Sequence, residues 1–357
     1  MEVFASMKEY GHEQVVFCYD KTSGLRAIIA VHDTTLGPAL GGTRMWPYAT
    51  EEEALTDVLR LSQGMTLKNA AMGLNFGGGK AVILGDARQD KSEVLFRAFG
   101  RFVQSLGGRY ITAEDVGISA ADMALVRNET PYVGGLFETS GNPSPATAFG
   151  VYRGIKASAQ RALGSENLKD LVVAMQGLGS VGMQVANHLH EEGAHLVVSD
   201  IYPDCIDEAK TKFGAKAVEP DAIYDVDCDI FSPNALGAIL NDDTIPRLRC
   251  KVVAGAANNQ LAEARHGDML QEKGILYAPD FVINGGGVTN VADEFAAGGY
   301  NSDRAYARIG EIYDKLLAIF AICDRDKVVP QEAAVIMAKE RLEMAAAIKR
   351  IHVAQPR

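Results

Sequence analysis

The chain has 357 residues, 47% of them hydrophobic and 23% charged, a globular mixture long enough for two domains of ordinary size. Its formal net charge of −11 gives no bulk attraction for nucleic acid or an anionic membrane surface. No apolar run approaches the roughly 20 residues that span a bilayer, the start carries no secretory pattern, and five scattered cysteines without a CxxC pair read as reduced thiols, so a cytoplasmic protein with no disulfide and no metal is expected.

Residues 14–19 and 25–32 read as strands joined by the turn-prone Lys21-Thr22-Ser23-Gly24. Thr50-Glu51-Glu52-Glu53 has the form of a capping box, and Leu55, Val58 and Leu59 fall on one face, so a helix is expected from here to Met72, with Gly73 as its stop. Asn75-Phe76-Gly77-Gly78-Gly79-Lys80 reads as a glycine-rich turn before a buried strand at 81–84. A helix over 91–106 and a strand over 109–112 follow. The stretch from Pro131 to Pro145, rich in Gly, Pro, Ser and Asn, reads as a boundary or hinge. A second series from Ala146 carries strands at 171–175, 195–199, 230–231, 251–254 and 275–277, then helices, the longest over 303–321 and 332–350. His188 and His190 read as a polar helix face. This alternation predicts an α/β protein with a catalytic, substrate-binding domain over 1–135, a nucleotide-binding domain over 136–329, and a C-terminal helix in 330–357 packing back on the first.

The second series opens on Leu171-Val172-Val173-Ala174-Met175-Gln176-Gly177-Leu178-Gly179-Ser180-Val181-Gly182. G-x-G-x-x-G alone is weak evidence, but here it joins a β-branched strand to a helical stretch at 181–190. Gly177 permits the tight turn, Gly179 lets backbone approach a pyrophosphate, and Gly182 lets helix and strand pack closely. Amides at the helix start, Ser180 and Val181, face the phosphates. Asp200, about twenty residues on, can accept hydrogen bonds from ribose hydroxyls and would repel the extra phosphate of NADP, so NAD is the expected cofactor.

Lys68, Lys80 and Asp115 stand out in the first half. Singly, each would be an ordinary solvated charge. Both lysines, however, are flanked by small or apolar residues, and a lysine so packed near a second cation has a depressed pKa and can accept a proton near neutral pH. The segments Gly37-Pro38-Ala39-Leu40-Gly41-Gly42, Met65-Thr66-Leu67-Lys68, Gly77-Gly78-Gly79-Lys80, Thr112-Ala113-Glu114-Asp115, Ser144-Pro145-Ala146-Thr147, Gly255-Ala256-Ala257-Asn258-Asn259-Gln260 and Ile283-Asn284-Gly285-Gly286-Gly287-Val288, with the glycine fingerprint, carry a resemblance. In that order they resemble the Glu/Leu/Phe/Val amino-acid dehydrogenase family, its leucine-acting branch most closely, over nearly the whole chain.

The resemblance implies an N-terminal α/β substrate and oligomerisation domain and a Rossmann-type NAD-binding domain, separated by a cleft that closes over the substrate. It implies reversible NAD-dependent oxidative deamination of a branched-chain L-amino acid, leucine and also valine or isoleucine. It implies a homo-oligomer, an octamer as in the leucine branch or a smaller form such as a dimer. By position, Lys68 would bind the substrate carboxylate with backbone of Gly41 and Gly42, Lys80 would be the general base, and Asp115 would handle protons at the amine and carbinolamine. Thr147 and Asn284 would orient the nicotinamide amide, and Asn259 would lie along the cofactor. The side-chain pocket would be Leu40, Ala113, Gly134, Val288 and Val291, a set without charge, which argues against glutamate as substrate.

Leu67, Met72, Gly134, Asn234 and Gly285 depart from the leucine branch's pattern, and the loop from Gly135 to Ser140 is short. Gly134 stands where threonine is common and would enlarge the pocket. An aromatic substrate, phenylalanine or tryptophan, is therefore the alternative, since one methylene is worth only about 1–3 kcal/mol of discrimination. A catalytically inactive NAD-binding module is a second alternative, opposed by the retention of both lysines, Asp115 and Thr147. A hydroxy-acid dehydrogenase would place a histidine at the substrate, and none of the seven falls in these motifs.

Overall fold

The computed structural model describes residues 2–349. The chain forms two compact units: one of 2–142, Val291–Tyr300 and 338–349, the other of Pro143–Asn290 and Asn301–Met337.

The first unit begins with α1 (Val3–Tyr10), β1 (Gln14–Asp20), β2 (Leu25–Asp33), β3 (Ala39–Leu40), β4 (Thr43–Trp46), α2 (Glu51–Ala71), β5 (Gly77–Leu84), α3 (Glu93–Ser105), β6 (Tyr110–Ile111) and α4 (Ala120–Arg127). Its six-stranded sheet has the order β1-β2-β5-β3-β6, with β4 also on β5. α2 starts where expected, with the Thr50 hydroxyl accepting from Glu53 N–H, although the Glu53 carboxylate caps Ala49 rather than Thr50. Gly73, at φ 73°, ends the turn. α2 packs Ala54, Leu55, Val58 and Leu59 against Ile28 and Val82 of the sheet. Phe96, Phe99 and Val103 of α3 pack on the other core, with Ile29, Val31 and Ile83.

The glycine run departs from expectation. Gly77, Gly78, Gly79 and Lys80 are the first half of β5, not a turn. A side chain at Gly77 would come within 1.9 Å of the Asp33 carbonyl, and one at Gly78 within 2.1 Å of the Thr66 hydroxyl. Glycine is present because α2 and neighbouring backbone crowd this strand, and its flexibility is overruled by the sheet.

The second unit contains α5 (Pro143–Leu163), β7 (Val172–Gln176), α6 (Ser180–Glu191), β8 (His195–Ser199), α7 (Pro203–Phe213), β9 (Lys216–Ala217), β10 (Ile230–Pro233), β11 (Val252–Val253), α8 (His266–Glu272), β12 (Leu276–Tyr277) and α9 (Asp280–Ile283). α10 (Gly286–Ala292) carries the chain past the division at Asn290. α11 (Ser302–Gly310) and α12 (Ile312–Asp326) return to the second unit, and α13 (Pro330–Ile348) passes into the first at Ala338. There Arg341 donates to the carbonyls of Ala70 and Leu74. The expected helix over 332–350 is α13, and residues 350–357 lie outside the described residues.

All pairings in the second sheet are parallel, in the order β12-β11-β10-β7-β8-β9. This is the doubly wound Rossmann arrangement, with its switch point between β7 and β10. The helix expected over 303–321 is two, α11 and α12, interrupted at Gly310 and Glu311, where glycine weakens the helix. His188 is not on a polar face: it stacks on Tyr152 with ring centroids 5.1 Å apart. Among the described residues, no helix is long and apolar enough to cross a membrane.

Candidate active site

In the first unit, strand register gathers the candidate groups beside β5. Leu40 pairs with Gly78 and Thr43 with Ala81, so Gly41 and Gly42 run past Gly79 and Lys80. Thr43 also bridges to Glu114, which brings Asp115 to the same place. Only glycine fits here: a Cβ on Gly41 would fall 1.9 Å from the Gly79 carbonyl, and one on Gly42 2.4 Å from the Glu114 carbonyl. Gly41 N–H donates to Ile111, and its carbonyl accepts from the buried Tyr110 hydroxyl. Both its polar groups are thus engaged in the sheet, and what Gly41 offers a ligand is close approach rather than a donor.

Lys80 and Asp115 form an ion pair of 3.1 Å, with the lysine side chain 7% exposed. Burial pushes the Lys80 amine below its ordinary pKa; Asp115 opposes this, and nearby Arg44 adds to it. Burial pushes the Asp115 carboxyl up, but Lys80 and Arg44 together hold it below its usual range. The pair is therefore a fixed carboxylate beside an amine that gives up its proton more readily than a solvated lysine, which is what a general base requires.

Lys68 stands on the last turn of α2, and the next residue, Asn69, is fully buried. The Asn69 side-chain amide donates to the carbonyls of Gly77 at 2.7 Å and Leu40 at 3.2 Å, which clips this turn to β5 and β3. Asn69 was missed in the sequence because an asparagine inside a helix carries no signal of such partners. Leu40 is buried, and the Ala113 carbonyl accepts from Thr43 N–H. Gly134 does not widen a pocket. A Cβ there would lie 2.7 Å from Val291 Cγ1 and 3.0 Å from the Phe295 ring, so those side chains already occupy the space a larger residue would take. The Glu294 carboxylate accepts from Gly135 N–H, Ser140 N–H and the Ser140 hydroxyl, tying the short loop to the same segment. Val288 and Val291 share α10, Val288 on the second-unit side of the division and Val291 on the first.

In the second unit the fingerprint lies at the carboxyl ends of β7 and β10. Gly177 adopts φ 93°, and Gly182 passes so near it that a Cβ would fall 2.2 Å from the Gly177 carbonyl. Gly179, the N-cap of α6, has an ordinary φ of −65° and open space before it. Nothing in the protein's own packing requires glycine at 179, and the backbone before the Ser180 and Val181 amides stands open. Asp200 accepts from Leu178 N–H at 2.6 Å and Tyr202 N–H at 2.9 Å, so it is fixed to this loop. Thr147, whose hydroxyl donates to the Pro143 carbonyl, faces the glycine at 287. Asn284 is buried and donates to the Ala256 carbonyl and the Asn258 side chain, while Asn259 is exposed at φ 51°. The departing residue Asn234 links the two loops, its side chain accepting from Ala256 N–H and donating to the Ser232 carbonyl. A glycine loop, an acidic residue fixed beside it and a buried amide are thus assembled in one unit.

Residues 12–132 match the family model described as Glu/Leu/Phe/Val dehydrogenase, dimerisation domain, and residues 202–349 match that described as Glutamate/Leucine/Phenylalanine/Valine dehydrogenase. A leucine dehydrogenase of Geobacillus stearothermophilus is 61% identical over 346 residues, covering 96% of this chain and 94% of that one. A leucine dehydrogenase of Thermoactinomyces intermedius is 60% identical over 347 residues, with the same coverage of 96% and 94%. The crystal structure of L-tryptophan dehydrogenase from Nostoc punctiforme superposes with a TM-score of 0.87 at 48% identity, over 98% of this chain and 100% of that one.

Proposed function

The chain belongs to the Glu/Leu/Phe/Val amino-acid dehydrogenase family, and from that we propose that it oxidatively deaminates branched-chain L-amino acids, leucine foremost, with NAD. The net reaction converts amino acid, water and NAD⁺ to 2-oxo acid, ammonium, NADH and a proton. The observation that carries the reading is the ion pair of the buried Lys80 with the half-buried Asp115, with the amine pushed below its ordinary pKa. The choice of leucine over aromatic substrates is supported by the 61% identity to a leucine dehydrogenase, against 48% for the tryptophan enzyme of known structure.

Lys68 holds the substrate carboxylate beside the narrow backbone of Gly41 and Gly42. Asp115 accepts from the substrate amine and later returns a proton to the departing nitrogen. Lys80, as the neutral amine, takes a proton from the water that attacks the imine carbon. In the first unit the apolar side chain is received by Leu40, Ala113, Gly134 and Val291. The amides of Gly179, Ser180 and Val181 would hold the pyrophosphate of NAD, and Asp200 the ribose, with Thr147, Asn259 and Asn284 along the rest of the cofactor. NAD, when bound, supplies the two-electron oxidant. We also take the protein to be a cytoplasmic homo-oligomer joined through its first unit. The five free thiols suit a reducing compartment.

The test is a steady-state panel of L-amino acids with NAD and NADP in parallel. Leucine with NAD is expected to give the highest kcat/KM, and reduction of the 2-oxo acid is expected to require ammonium. Lys80→Ala is expected to lower kcat by about 100-fold or more while NADH binding persists. A tenfold preference for phenylalanine would overturn the choice of substrate, and wild-type protein that forms no NADH from any amino acid would overturn the activity.

A further inference from the structure

We infer that Arg44 is a positioning residue for the Lys80–Asp115 pair, its guanidinium spanning the carboxylates of Asp115 and Asp57 and fixing which Asp115 oxygen faces the substrate. The inference rests on the roles given above to Lys80 and Asp115. Arg44 lies opposite Val82 in the β4–β5 register, and Lys80, two residues along β5, shares that face of the sheet, toward α2. Arg44 Nε donates to Asp115 Oδ2 at 3.0 Å, and one terminal nitrogen donates to Asp57 Oδ2 on α2, also at 3.0 Å. The Tyr48 hydroxyl donates to the same Asp57 oxygen at 2.5 Å.

Lys80 and Arg44 Nε thus converge on a single oxygen of Asp115. The other, Oδ1, is the one these two cations do not take, and it is the oxygen available to a substrate amine. The planar fork of arginine can hold two carboxylates in fixed directions; a lysine at the same place supplies charge without that geometry. Asp57 and Tyr48 in turn anchor the arginine, so the chain of contacts runs from the protein surface to the reacting groups.

Arg44 also acts on Lys80 through charge. The charged and titratable groups around the lysine are Asp115 after β6, Arg44 on β4, Asp57 on α2, Tyr48 after β4 and the buried Tyr110 hydroxyl on β6. Arg44 favours the neutral amine, whereas Asp57 and Asp115 favour the ammonium. Removing Arg44 and removing the Asp57 charge therefore have opposite effects on the same proton, which a purely structural role would not produce.

The experiment is the pH profile of kcat/KM for leucine with NAD, recorded for wild type, Arg44→Ala, Arg44→Lys, Asp57→Asn and Lys80→Ala. Arg44→Ala is expected to move the acidic limb, where Lys80 must lose its proton, up by about one unit and to lower kcat by about tenfold or more, with partial recovery on adding guanidinium ion. Asp57→Asn is expected to move the limb down. Arg44→Lys is expected to keep the limb near its wild-type position and still lose about tenfold in kcat. Shifts of the same sign in Arg44→Ala and Asp57→Asn, or wild-type kcat in Arg44→Lys, would overturn the inference. Should Arg44→Ala not fold, Arg44→Lys and Asp57→Asn decide it. Full turnover by Lys80→Ala, in contrast, would overturn the roles of the pair itself.

Discussion

Position 134 is glycine because of its neighbours. Its backbone is not left-handed, so the constraint is packing alone: Val291 and Phe295 leave no room for a methyl group. Gly134→Ala is expected to destabilise the protein by about 1–3 kcal/mol through overpacking, and Val291→Ala in the same chain to restore part of it. Thermal melts of the two variants check this, and an alanine variant as stable as wild type would show that the segment from Val291 shifts freely. The same comparison explains what could be read from residues alone. Lys80, Asp115 and the fingerprint glycines announce themselves by type and immediate context. Gly134, Arg44 and Asn69 do not, because each takes its meaning from partners far along the chain.

At the scale of elements, the junction of the loop after α1 with β2 and α2 holds two half-buried or buried histidines. His12 Nε2 and the Ser62 hydroxyl share a hydrogen bond of 2.7 Å, and that hydroxyl lies within hydrogen-bond reach of the Val58 carbonyl. His12 Nδ1 is buried with no hydrogen-bond partner among the described residues. Burial, with His32 in T-shaped contact at 4.8 Å, lowers the His12 pKa from 6.5 to about 4. The unfolded chain therefore binds this proton first. Stability is complete above pH 6.5 and falls as the pH drops toward about 4, by about 3 kcal/mol for this group. Urea unfolding at intervals across that window is expected to show the fall, and His12→Gln to flatten most of it, leaving the smaller contribution of the same sign from His32. An unchanged slope in His12→Gln would place the acid sensitivity elsewhere. Elements with strong local signals, such as α2 with its Thr50 cap and the β7–α6 turn, were legible in the sequence. The first half of β5 was not, because three glycines have no strand propensity and are held extended by the strands and helix around them. Two-residue strands such as β3 and β9 likewise exist only through their pairing.

At the scale of the whole molecule, β1 is the edge of the first unit's sheet, and among the described residues no strand pairs with its other side. Cys18 turns into the core, while Phe17 and Tyr19 on the opposite face are 52% and 68% exposed. An edge strand that carries exposed aromatics and no proline is a poor terminus for a soluble sheet and a good seam for a second copy. Two copies related by a two-fold axis would pair β1 with β1 in antiparallel fashion, a self-complementary contact that continues the sheet across both. The net charge of −11 opposes association of copies at long range, so such a seam must draw its stability from strand pairing and aromatic burial. Light scattering is expected to give wild type a mass of more than one subunit. Lysine at both Phe17 and Tyr19 is expected to lower that mass while circular dichroism stays unchanged, because neither side chain belongs to the subunit's core. A doubly substituted protein with the wild-type mass would move the contact away from β1.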